Sequence, residues 1–163
     1  MCIDYESIWD FNDPEQSESK FRAVLAEAKT DDDRAEALTQ IARTLGLRRR
    51  FDEAHETLDQ AASLLSAGSK AEVRYMLERG RTINSSGGQV ASRQVFYQAV
   101  DAARALGDGH LIVDAMHMVG IVEEPQAALK WNLDAIAFAE SSDAPKARKW
   151  LASLYNNTGW SLF

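Results

Sequence analysis

At 163 residues, of which 45% are apolar and 26% charged, the chain can bury a core without metals or disulfides and is too apolar for a disordered segment. Its apolar runs are only a few residues long, which excludes a transmembrane helix, and the start MCIDYESIWDF lacks the basic flank and apolar centre of a secretory leader. The net charge of −7 is gathered at one end: residues 1–36 carry eleven acids and four bases and the remainder fourteen of each, so no basic stripe exists for nucleic acid. The expected setting is reducing and cytoplasmic, with no membrane and no nucleic-acid partner. Cys2 is the single cysteine and forms no internal disulfide. His55, His110 and His117 lack the spacing that aims two rings at one ion, so no metal and no cofactor is expected.

Residues 1–13 hold Ile8, Trp9 and Phe11, too much apolar area for a free tail, and predict a short turn of helix packing its aromatics onto the next element. Asp13-Pro14 opens a helix, with Phe21, Val24, Leu25 and Ala28 at helical spacing. The acidic cluster Asp31 to Asp33 suits the positive end of a helix beginning near Asp32. Residues 35–65 then read as a complete hairpin of two amphipathic helices: Leu38, Ile41, Ala42 and Leu45 form one stripe, and Ala54, Leu58 and Ala61 the other. Between them, Arg48-Arg49-Arg50 reads as a solvated turn that complements the negative end of the preceding helix, in preference to a phosphate site.

Gly68 stops that hairpin, and Ser69-x2-Glu72 is a capping box for the next helix. Met76-x2-Arg79-Gly80-x2-Ile83, a Ser85-Ser86-Gly87-Gly88 turn and Ser92-x3-Phe96-x2-Ala99 make the second hairpin, with Arg79 where an apolar residue is usual. Either that position is looser, or its stem covers the seam while its head reaches water. Met116-x2-Val119-Gly120 opens a third copy with a contracted connection. Gly120 to Ala128 is eight residues, where Ala42 to Ala54 and Gly80 to Ser92 are each twelve. Trp131 and Asn132 stand where a single aromatic is wanted, so that helix is expected to be slightly rotated. Ser142-Asp143-Ala144-Pro145 predicts one long last helix, in which Tyr155-x2-Thr158-Gly159-x2-Leu162 is a fourth copy of the first-helix pattern.

Ala42, Gly80, Gly120 and Gly159 are separated by 38, 40 and 39 residues. A small residue recurs where two helices must approach closely. The pattern of a large residue, an apolar-small pair and then Ala-x3-large after the turn resembles the tetratricopeptide repeat, in a variant of about 38 to 40 residues, longer than the common ~34. That resemblance implies an all-α fold: a right-handed superhelical stack of antiparallel helix hairpins, a TPR-like α-solenoid forming a single domain over 1–163. Its parts would be a degenerate repeat at 1–30, hairpins at 31–67, 69–106 and 109–140, and the first helix of a truncated repeat at 143–163.

By the same resemblance the first helix of each pair lines a concave groove. The positions selected are Thr39, Gln40 and Arg43, then Leu77, Glu78 and Arg81, then His117, Met118 and Ile121, then Asn156, Asn157 and Trp160. Arginines there would hold a carboxylate, asparagines an extended backbone, and Met118, Ile121 and Trp160 apolar side chains, which suits a peptide. The bland alternative is a groove left empty or filled by the chain's own segment. The carboxylate clamp of chaperone-binding relatives is echoed only by Arg81 and Asn157. The expected function is a non-catalytic protein- or peptide-binding scaffold with no catalytic residues, since no phosphate loop or nucleophile elbow is present. The alternative is a sensory or regulatory repeat domain that binds a small effector or signalling peptide within a longer chain. Tyr155, Trp160, Leu162 and Phe163 would form an uncovered apolar end, to be closed by further repeats or by a second copy in a homodimer.

Overall fold

The structure, a computed structural model, describes residues 3–162 and the side chains of 3–159. Cys2, Phe163 and the side chains of Trp160 and Leu162, which figured in the expectations above, lie outside the described residues. Every regular element among the described residues is helical: α1 (Tyr5–Ile8), α2 (Pro14–Glu27), α3 (Asp31–Leu47), α4 (Phe51–Ala62), α5 (Lys70–Ser85), α6 (Gln89–Leu106), α7 (Gly109–Val122), α8 (Pro125–Ser141), α9 (Pro145–Arg148) and α10 (Leu151–Leu162). The chain is all-α. None of these helices is long and apolar enough to cross a membrane.

The helix starts follow local capping chemistry. Asp13 accepts the Gln16 amide at 3.0 Å ahead of Pro14, and Thr30 and Asp33 form a reciprocal box that starts α3. Ser69 accepts the Glu72 amide at 3.1 Å, but Glu72 reaches back one residue further than a capping box, to the Gly68 amide at 2.7 Å. Asp108 caps α7 through the Leu111 amide, directly after Gly107, whose φ of 75° ends α6.

Each main helix packs on the next in sequence; α3 also lies along α5, whereas α5 meets α7 over a much smaller contact. One cluster of buried side chains runs from α5 to α10, a second joins α1 to α4, and Ala35, Leu38, Ala61 and Ala71 form a third between them. Tyr5, Phe21, Leu58 and Phe96 are essentially fully buried. Each such side chain contributes about 1.5–3 kcal/mol relative to exposure. The recurring glycines mark close approaches at two seams. A Cβ on Gly80 would lie 2.4 Å from the Phe96 ring, and one on Gly120 would lie 2.4 Å from Asn132 Oδ1. Around Gly159, by contrast, a Cβ would meet nothing within 4 Å among the described residues.

Three sequence details come out differently. In the contracted hairpin Asn132 takes the place that Phe96 holds in the one before, while Trp131 faces Tyr97 edge-on at 5.7 Å. The expected single last helix is broken between α9 and α10. Ala147 is buried close to Gly109 there, and Trp150 turns its ring toward His110 and His117. Arg79 does cover a seam, but its head is held: it bonds Asp59 at 2.6 Å and His55 at 2.9 Å and lies over Tyr75, tying α5 to α4.

Candidate ligand-binding face

The aligned small residues Ala42, Gly80 and Gly120 give α3, α5 and α7 a common register. Six positions before them stand Glu36, Arg74 and Asp114; two before, Gln40, Glu78 and Met118; one after, Arg43, Arg81 and Ile121. Steps of four and three keep these positions on one helical stripe. The polar members meet along and across these helices. Glu36 pairs with Arg74 at 2.6 Å, Arg81 bonds Glu78 at 2.6 Å and also grips Asp114, and Arg43 approaches Glu78 at 3.8 Å. We call this the inner face, because the amino-terminal segment lies over it.

That segment, Asp4 to Phe11, is anchored by its rings and acids. Tyr5 is buried beside Phe21, with their centres 6.1 Å apart, and the guanidinium of Arg74 lies 5.4 Å from the Tyr5 ring. Trp9 packs on Phe21 and donates its indole N–H to Gln40 Oε1 at 2.8 Å. Trp9 and Phe11 stack in parallel at 4.7 Å, and Arg43 sits 5.4 and 5.1 Å from their centres. Glu6 accepts from Arg74 at 2.7 Å, from His110 Nε2 at 3.2 Å and from Lys146 at 3.0 Å, and Lys146 also reaches Asp4 at 2.8 Å. Trp150 donates to His110 Nδ1 at 3.2 Å, and an indole can only donate. The His110 proton therefore belongs on Nε2, where it points at Glu6.

Lys146 in α9 thus ties the start of the chain to a helix near its other end, across the inner face. A cleft of about 390 Å³ remains beside the segment. It is bounded by Trp9 and Phe11 on one side, Gln40, Arg43 and Asp114 beneath, and Lys149, Trp150 and Ser153 beyond.

Burial disfavours charge throughout this face, and the partners decide where charge remains. For Glu6 the desolvation is outweighed by the bonds from His110 and Arg74 and by the charge of Arg74, which hold its carboxyl well below the usual carboxylate range. Glu36 shares the same arginine without those extra donors, and its carboxyl is pushed up by burial. Asp114 is lowered, because the arginines Arg81 and Arg43 overcome its burial. Arg81, between Asp114 and Glu78, holds its proton more firmly than a free arginine despite its burial. Arg43 goes the other way: burial, followed by repulsion from Arg81, lowers it. His117 is likewise lowered by burial and favours the neutral ring.

The sequence-derived positions distribute as follows. Gln40, Arg43, Glu78 and Arg81 come together on the inner face, and His117 joins Asn157 at 3.3 Å beside Trp150. Thr39 is buried and spends its hydroxyl on the Glu36 carbonyl. Leu77 and Met118 are buried in the core, and neither lines the cleft. Ile121 and Asn156 are exposed and lie away from it. Sequence reasoning passed over Glu36, Arg74 and Asp114, which their spacing of four from Gln40, Glu78 and Met118 would have placed on the same stripe. It had no signal for Glu6, Lys146 or Trp150, whose partners lie far along the chain.

Among the described residues no group of three or more His, Cys, Asp and Glu side chains could hold a metal ion. No family model, no curated protein and no solved structure matches the chain. Its chemistry is therefore read from its own side chains. They offer a face that pairs with carboxylates, stacks rings and accepts an indole proton.

Proposed function

We propose that this chain is a non-catalytic binding scaffold with a TPR-like stack of helix hairpins, and that its inner face holds a protein segment or peptide. One observation carries the reading: the face already seats an acidic, aromatic stretch of peptide, the chain's own Asp4 to Phe11, through Arg74, Lys146, Gln40 and Arg43. Cations for carboxylates, an amide for the indole and a guanidinium for the rings are a division of roles suited to recognising a segment of that composition. The packing of α3 along α5, and the close approaches of Gly80 to Phe96 and Gly120 to Asn132 inside successive hairpins, support the repeat architecture.

The test supplies DYESIWDF in trans to a Glu6→Gln/Trp9→Ala variant, whose own segment is loosened, with a set of related acidic-aromatic peptides alongside. Fluorescence anisotropy is expected to show saturable binding that falls at least about tenfold when Arg43→Ala is added. No binding by any member of the set, in a variant that keeps its helix content, would overturn the scaffold.

The cleft favours a second reading. Its volume lies in the lower part of the range of about 300–1,000 Å³ typical of small-molecule sites. A domain that senses a small effector would use that space and leave the segment in place.

A further inference from the structure

The walls of the cleft are unequally neutralised. Its acids are all engaged: Glu6 by Arg74, His110 and Lys146, Asp4 by Lys146, and Asp114 by Arg81. Two of its cations are less completely matched. Arg43 makes no hydrogen bond among the described residues; its nearest carboxylate oxygen, Glu78 Oε1, is 3.8 Å away and already bonded to Arg81 at 2.6 Å. About a quarter of the Arg43 side chain remains accessible, and it lines the cleft. Lys149, exposed on the turn between α9 and α10, lines it as well and has no ion pair among the described residues. Beside these charges the lining holds the rings of Trp9, Phe11 and Trp150 together with the polar side chains of Gln40, His110 and Ser153.

We propose that this cleft binds a small aromatic carboxylate, with its carboxylate on Arg43 and Lys149 and its ring against Trp9 and Trp150. The proposal rests on the reading of the inner face as the binding surface and gives the ligand class for its small-effector form. A guanidinium with unused donors matches the two oxygens of a carboxylate, and a second cation nearby completes the charge match. A monoanion suits the site better than a phosphate, because Asp4, Glu6 and Asp114 line the same walls and repel additional negative charge. The rings account for the aromatic half of the ligand: a bare carboxylate would leave their surface uncovered. The charge of an anion beside Arg43 also relieves the repulsion from Arg81 that now works against its protonated form.

Calorimetric titration of the intact chain with benzoate, phenylacetate and indole-3-acetate tests this, with acetate, indole and phenyl phosphate as controls. At least one aromatic carboxylate is expected to bind saturably, and acetate and indole at least about tenfold more weakly. Arg43→Gln is expected to weaken that binding roughly tenfold or more, with Arg43→Lys recovering part of it. Lys149→Gln, at an exposed position that leaves the fold intact, is expected to weaken it about threefold. No saturation by any aromatic carboxylate at millimolar concentration overturns the proposal. So does binding unchanged in both Arg43→Gln and Lys149→Gln, and tighter binding of phenyl phosphate overturns the choice of a carboxylate. If these ligands fail while acidic-aromatic peptides bind the Glu6→Gln/Trp9→Ala variant, the cleft assignment falls and the scaffold stands; if both fail, both readings fall.

Discussion

The seams between helices and the inner face beneath the amino-terminal segment are held by opposite means. At the seam of α5 and α6 a glycine admits a fully buried phenylalanine ring, so the contact is dry and set by shape. On the inner face Arg81 serves two buried carboxylates, and Arg74 and Lys146 reach out to a separate stretch of chain. Dry seams gain energy in proportion to fit. Buried ion pairs add little net energy while intact but cost much when one partner is lost. The comparison teaches that Arg81 belongs to the framework as firmly as any seam residue. The contacts to Asp4, Glu6 and Trp9 are separable from it.

The largest expected effect breaks that division at its polar end. Arg81→Leu removes the one cation bonded to both buried acids, Glu78 and Asp114, and is expected to cost about 4 kcal/mol in urea unfolding. Next come the two seam glycines, which are not equivalent. Gly80→Ala drives a methyl into the packed Phe96 ring and is expected to cost about 2 kcal/mol. Gly120→Ala meets the Asn132 amide, whose Oδ1 has no hydrogen bond among the described residues. That amide can turn aside, and alanine is about 1 kcal/mol better than glycine in a helix, so the change is expected to be near neutral. A Gly120→Ala loss equal to that of Gly80→Ala would erase the distinction between the hairpins.

A smaller effect is set by pH. Glu6 sits below its ordinary value of 4.5 in the folded chain. The unfolded chain takes up this proton first, so the contribution of Glu6 is complete above that value and is lost progressively as pH falls below it. Unfolding midpoints measured from neutral pH down into the acid range are expected to decline less steeply in Glu6→Gln than in the parent, from a lower start at neutral pH. The smallest effect is on the outside. The exposed pair Lys130–Asp134 follows the i,i+4 spacing, and Lys130→Ala is expected to leave the midpoint unmoved.

The same contrast explains what the sequence could tell. The recurring Ala42, Gly80 and Gly120 were visible because a close approach admits only small residues, and the helix caps Asp13 and Ser69 because their partners lie three residues away. Gly159 keeps the same interval, and among the described residues nothing lies within 4 Å of a Cβ placed there. Arg81 was legible as a groove residue but not as an occupied one, because Asp114, its partner, is 33 residues away. The segment over the inner face was the least legible part. Its acids and rings announced that they would pack somewhere, but Glu6 meets Lys146 across 140 residues, and no periodicity encodes that contact.

Asp4 to Phe11 lies across the inner face and is held there by polar ties as well as by its rings. Spin labels at Ser7→Cys and Lys149→Cys, in a Cys2→Ser background, measure it directly, since both positions border the cleft. The account expects one narrow, short distance that broadens and lengthens when Glu6→Gln and Trp9→Ala are added. A broad, long distribution in the parent, unchanged by those two substitutions, would contradict it.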